Sequence, residues 1–164
     1  SLLVLTDVEP KGAPMAGLED LYKEIVLDHY RSPRNRGELA SPPAKHAEGF
    51  NPLCGDEVHV YVQVDDGVVT DVAIAGQGCS ISQASASMMA DAVAGKTIDE
   101  VAELAGRFRA MMDIDEGDTG IDEGRPGEAL GDLEALQGVR RFPVRIKCAN
   151  LPWTTLAEAL EDAG

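Results

Sequence analysis

An α+β chain, with an antiparallel hairpin set between helices, is what the sequence predicts, and three observations carry that reading. Val58, Val60, Val62 and Val64 alternate with polar residues, as do Val68, Thr70, Val72 and Ile74; this is the period of a half-buried strand. Segments on either side carry apolar residues at helical spacing instead. A length of 164 residues suits one domain with a proper core.

The first helix is read from Leu18, Leu21, Tyr22, Ile25 and His29, with Glu19 and Lys23 as an i,i+4 pair. Pro33 disfavours helical geometry in the residue before it, so the helix should stop near Arg31-Ser32. Residues 1–16 hold Pro10, Gly12 and Pro14 without a sustained period and are expected to be a disordered, leader or appended extension, Met15 being a candidate natural start. The domain is therefore expected over 17–164. Arg31, Arg34 and Arg36 form a basic turn, either a solvated helix end or a docking patch.

For the hairpin, a three-residue loop from Asp65 to Gly67 brings both apolar rows to one face, whereas a two-residue Asp66-Gly67 turn sets the valines opposite Val69, Asp71, Ala73 and Ala75. The pattern favours the longer loop with Gly67 left-handed. His59 then lies on the face away from the valines, as a structural or solvent-facing histidine. After the second strand, Ser80 and Gln83 fit a capping box, and Ala84, Met88, Ala92 and Val93 supply an apolar helix face. Gly95-Lys96 ends that helix; Thr97 caps the next, with Ile98, Val101, Leu104, Ala105 and Phe108 in phase. Residues 113–139 read as an acidic insertion. Asp113, Asp115 and Glu116 evoke a calcium loop, but Gly117 and Asp118 break the EF-hand pattern at its fifth and sixth positions, so a solvated loop is expected, with short helical pieces from Glu128 to Leu136. Leu151, Leu156, Ala159 and Leu160 mark a final helix, and Pro152 demands a kink or a helix start after Cys148.

Fourteen basic against twenty-nine acidic residues give a net charge of −15, which argues against general nucleic-acid or anionic-membrane binding. No apolar run approaches the roughly 20 residues of a membrane span. Three cysteines make no disulfide framework and favour a reducing, cytoplasmic setting. Taken alone they read as inert core residues; their contexts point elsewhere. In Asn51-Pro52-Leu53-Cys54-Gly55-Asp56 a stiff, glycine-containing loop can turn the Cys54 thiolate and the Asp56 carboxylate toward one ion. Two ligands do not close a tetrahedral site, so Cys79 and Cys148 are the remaining candidates. Cys79 stands at a helix start, where unpaired N–H groups favour a thiolate. Arg140, Arg141, Arg145 and Lys147 place positive charge before Cys148.

Asn51-Pro52-Leu53-Cys54-Gly55-Asp56, Gly76-Gln77-Gly78-Cys79-Ser80-Ile81-Ser82 and Arg145-Ile146-Lys147-Cys148-Ala149 resemble the three metal-site motifs of the SufU/IscU (NifU N-terminal-like) group. Leu21 to Tyr30 is similar to its first helix, and the resemblance runs from about Leu18 to Leu160. It implies a compact α+β fold, SufE/IscU-like: a small antiparallel sheet covered by helices, with the metal site at one end. Lys147-Cys148 stands where IscU-type scaffolds carry His-Cys, which aligns the chain with SufU-type zinc proteins, as do the extra residues before that motif. The resemblance implies a zinc-dependent sulfurtransferase for iron–sulfur cluster biogenesis. Zinc would be held by Cys54, Asp56, Cys79 and Cys148, and Cys54, displaced by a partner ligand, would be the catalytic thiol. The implied partners are a pyridoxal-phosphate cysteine desulfurase of SufS type and a downstream assembly scaffold. The alternatives are an IscU-type scaffold holding an iron–sulfur cluster and a purely structural zinc domain.

Overall fold

The computed structural model describes residues 14–40, 44–52, 55–112, 114 and 130–163. The expected extension before Pro14, the thiol Cys54 and the acidic residues 115–129 lie outside the described residues. Helix α1 (Pro14–Arg31) is followed by strands β1 (Lys45–Asn51), β2 (Asp56–Asp65) and β3 (Val68–Gln77). Then come helix α2 (Ser80–Val93), helix α3 (Ile98–Met111), a 3-10 helix (Gly131–Arg141) and helix α4 (Pro143–Ala163). The α+β expectation holds: one antiparallel sheet in the order β1-β2-β3, with helices packed on it. Helix α1 opens ahead of Leu18 and ends at Arg31, just before the Ser32-Pro33 stop.

Period-2 burial organises the sheet. Val58, Val60 and Val62 point to the helices and are fully buried, joined by Val69, Val72 and Ile74 of β3 and by α2, α4 and the 3-10 helix. Val72 and Ile74 share the buried face with the first valine row as expected, but Val69 takes the place of Val68 there and Thr70 is exposed. Asp66 (φ 54°) and Gly67 (φ 76°) make a two-residue turn with both central residues left-handed, the geometry that matches strand twist. A bulge between Gln63 and Val64 then restores the register, pairing Val62 with Val72 and Val60 with Ile74. Thr70 is the extra residue, its hydroxyl 3.2 Å from the Gln63 carbonyl and 2.9 Å from the Asp65 carboxylate. Sequence periodicity cannot see a bulge, which here reverses the faces of the residues between the turn and Asp71.

Strand β3 does not leave its far edge open. Gly37 N–H donates to the Ile74 carbonyl, Ile74 N–H to Asn35, and Val69 N–H to Lys96, so loop segments occupy an edge that would otherwise recruit other strands. Arg36 belongs to this cover, donating to the Gly76 carbonyl at 3.0 Å, and Arg34 pairs with Asp28 at 2.7 Å. Two of the three basic side chains in the turn thus have local partners. The Arg34 guanidinium holds the Asp28 carboxyl below the usual carboxylate range, first by hydrogen bonding and then by charge. Ion pairing of this kind is present above the ordinary aspartate pKa and is lost as pH falls through the lowered one.

Helix α2 is the central helix, buried from Ser82 through Ala90. Its small residues allow close approach, and its buried hydroxyls are all spoken for. Ser85 donates to the Ala149 carbonyl at 2.6 Å. Ser87 Oγ accepts the Arg34 backbone N–H and lies 2.7 Å from His29 Nδ1; His29 Nε2 is 2.8 Å from Asp132. The network fixes the proton positions: Ser87 gives its hydrogen to Nδ1, and Nε2–H goes to the carboxylate. His29 thereby ties α1, α2 and the 3-10 helix together.

Thr97 caps helix α3 as predicted, and Glu100 completes a capping box with it. The Ser80–Gln83 box is not formed: Cys79 itself is the N-cap residue of α2, without a side-chain cap. Residues 131–139 of the expected insertion form part of the 3-10 helix, and Leu130, Leu133 and Leu136 are core. Cys148 lies inside α4 rather than before a helix, with Pro152 also within it. The proline is absorbed because the face packing of Trp153, which stacks on Phe108 with centroids 4.9 Å apart, and of Leu156 and Ala159 outweighs one lost hydrogen bond. None of the described helices is long and apolar enough to cross a membrane.

Replacing His29 by alanine removes one buried and one part-buried hydrogen bond and leaves a void, so urea denaturation should show a loss of about 2–4 kcal/mol. A loss below about 0.5 kcal/mol would mean that the three-element tie contributes nothing.

Candidate metal centre

The inner row of β2 begins at Asp56. The alternation that buries Val58, Val60 and Val62 also carries this carboxylate inward at the sheet's end, and Asp56 is 0% exposed. Its cross-strand partner is Asn51, the last residue of β1. Burying a carboxylate is costly unless its oxygens are compensated. Oδ1 accepts the Cys79 backbone N–H at 2.8 Å, one of the unpaired donors at the α2 N-terminus. Oδ2 faces the Cys79 thiol, 3.7 Å away.

Cys148 reaches the same point from α4, and Asp56, Cys79 and Cys148 offer an oxygen and two sulfurs all within 4.8 Å of one another. Ligands around a tetrahedral zinc lie roughly 3.3–3.8 Å apart, from bond lengths of about 2.0–2.3 Å. The Asp56–Cys79 separation already falls in that range. Two thiols and a buried carboxylate fit a thiophilic divalent cation, and a cation would compensate the oxygen that Cys79 N–H does not reach.

Glycine makes the approach feasible. Gly78 has φ +156°, and a Cβ there would overlap the Asp56 carboxylate and backbone, so only glycine lets the β3–α2 connection pass over Asp56.

Three of the four expected ligands therefore converge. Two neighbours had no assigned role in the sequence. The Asn51 amide donates toward the Cys148 sulfur at 3.8 Å, and the Ser82 hydroxyl lies 3.9 Å from that of Cys79. The signals were present: Asn51 shares the inward face with Asp56, and Ser82 is one helical turn from Cys79. Arg145 and Lys147 are exposed, as are Phe142 and Val144 at the start of α4. The Cys148 thiol itself is directed at the Val144 carbonyl, 3.7 Å away.

Comparison with known proteins identifies relatives of the whole domain. The family model described as the NifU-like N-terminal domain matches residues 21–149. The zinc-dependent sulfurtransferase SufU of Bacillus subtilis is 43% identical over 91% of this chain and 97% of its own. An iron-sulfur cluster assembly scaffold protein IscU from Streptococcus pyogenes is 40% identical over 90% of this chain and 87% of its own. The crystal structure of a nitrogen-fixing NifU-like protein (N-terminal) from Brucella abortus superposes with a TM-score of 0.73 at 30% identity, covering 88% of this chain and 94% of that one.

Gly78→Ala should cost about 1–3 kcal/mol, the scale of backbone strain in a region that L-residues avoid, as read by thermal or urea denaturation. Wild-type stability in this variant would show that the Asp56–Gly78 approach is not a constraint.

Proposed function

The chain belongs to the NifU-like N-terminal domain family, and within it we propose a zinc-dependent sulfurtransferase that accepts persulfide sulfur from a cysteine desulfurase for iron–sulfur cluster biogenesis. The observation that carries this reading is the buried Asp56 carboxylate facing the Cys79 thiol, with Cys148 close by. A resident zinc suits this donor set, and Asp56, Cys79 and Cys148 would hold it, with Cys54 as the fourth ligand and the sulfur acceptor. When bound, zinc supplies a redox-inert positive charge that favours thiolates.

The chain's own residues supply the rest. Cys54, in the short loop between β1 and β2, is the nucleophile. Its thiolate attacks the terminal sulfur of the donor persulfide, a new S–S bond forms, and the donor's S–S bond breaks. The donor cysteine leaves as thiolate, and the transferred sulfur keeps its proton as Cys54–S–SH, with no net oxidation. Cys79 and Cys148 are anchors: one caps α2, the other sits in α4 beside Asn51. The exposed Phe142, Val144, Arg145 and Lys147 next to Cys148 provide a mixed apolar and basic surface for the desulfurase, which would carry its own pyridoxal phosphate. The cytoplasm is the expected compartment.

A second reading is an IscU-type scaffold that assembles a cluster on the same ligands, supported by the similarity to proteins of that name. Lys147 favours the first reading, because it stands where the scaffold motif has a histidine.

Protein purified anaerobically without added metal should contain about one zinc per chain, and Asp56→Ala should weaken zinc retention by at least about tenfold. Incubated with a cysteine desulfurase and free cysteine, the chain should gain sulfur on Cys54, located by peptide mass spectrometry. Cys54→Ser should abolish this gain while retaining more zinc than Cys79→Ser or Cys148→Ser. Stoichiometric iron with sulfide and little zinc would favour the scaffold; sulfur found first on Cys148 would overturn the assignment of Cys54.

A further inference from the structure

On the other face of the sheet a second group of donors converges. Pleating puts His46 and Glu48 of β1 on the same outward face as Glu57 and His59 of β2, and Glu48 is directly opposite His59 in the register. One ligand atom each from His46, Glu48 and His59 lies within 4.8 Å of the other two. His46 Nε2 is 3.2 Å from His59 Nδ1, and Glu48 Oε2 is 3.8 Å from the same Nδ1.

The protons decide what this cluster can hold. His59 Nε2 lies 2.8 Å from Glu57 Oε2, and a carboxylate only accepts, so Nε2 carries the hydrogen and neutral His59 presents a lone pair at Nδ1, which accepts from His46 Nε2–H. That lone pair faces the Glu48 carboxylate, an acceptor, and the second imidazole. Both rings are held in place, since His46 stacks on Tyr61 with centroids 4.4 Å apart and planes within 5°. Two imidazole nitrogens at 3.2 Å match the roughly 3.3 Å expected of two nitrogen ligands on one tetrahedral ion. The Glu57–His59 bond is the carboxylate–histidine support that fixes tautomer and basicity in metal sites.

We propose that His46, Glu48 and His59 form a second cation site, for a divalent transition metal of the zinc class, with Glu57 as a positioning residue. Two imidazoles and one carboxylate favour such ions over magnesium or calcium, which take oxygen-rich sets. The site is separate from the thiol cluster: it lies on the opposite face and three register pairs from Asp56, roughly 10 Å along the strands. An ion there cross-links the edge strand β1 to β2.

Cobalt(II) titration of the full chain tests this, because thiolate ligation gives a near-ultraviolet charge-transfer band and nitrogen–oxygen ligation does not. The parent should take up two equivalents, only one with the thiolate band. His46→Gln/His59→Gln should lose one equivalent and keep that band. Cys79→Ser/Cys148→Ser should lose the band and keep the other equivalent. Glu57→Gln should retain two equivalents but bind the second about 10–100-fold more weakly. Circular dichroism checks that each variant is folded. Equal cobalt uptake by the parent and the double-histidine variant, or no band-silent equivalent in the parent, overturns the proposal; loss of the thiolate band alone bears on the first site and not on this one.

Discussion

A buried carboxylate at the end of an apolar strand row is the constraint on which the rest of this molecule turns. Asp56 occupies the next inward place after Val58, so the sheet's own geometry takes a charge out of water. Everything around it answers that cost. Helix α2 begins where its first N–H can reach Oδ1, and Gly78 removes the side chain that would block the approach. Cys79 and Cys148 complete a donor set that a thiophilic cation neutralises. Had the strand begun one residue later, with Asp56 in water, the two sulfurs would lack their oxygen partner and the helix its reason to start there.

Much of this could be read in the sequence because it depends on period and spacing. Alternating valines set the strands' inward face, and Asp56 falls in phase with them. Thr97 and Glu100 announce their helix start by side-chain chemistry alone. What escaped detection depends on tertiary balance. Ser80 and Gln83 have the right spacing for a capping box, yet the buried helix start leaves that box unformed. Pro152 reads as a kink or a helix start, but the helix runs through it because the apolar face of α4 continues past it and packing prevails. The hairpin register was missed because Thr70 is the extra residue of a bulge, so that Val69 and not Val68 faces the core. The outward histidine pair was invisible for another reason: His46 and His59 are distant in sequence, and only the register makes them neighbours.

The two faces of the sheet thus differ in chemical character while sharing the same strands. The inner face offers sulfur and oxygen in a water-poor corner beside a helix N-terminus. The outer face offers imidazole and carboxylate nearer to solvent. A strand only seven residues long, β1, supplies Asn51 to one and His46 with Glu48 to the other, so its pairing with β2 positions both.

Pro152 has a mechanical meaning as well. A helix normally behaves as a rod, and a displacement at one end is felt at the other. Pro152 has no N–H to offer the Cys148 carbonyl four residues back, and the Ala149 carbonyl beside it accepts from Ser85 of α2. The first half of α4 is therefore registered to α2 and β1, and the second half to Phe108 and the core through Trp153. The missing hydrogen bond thus falls between the turn that carries Cys148 and the turn that packs on Phe108, within one continuous helix.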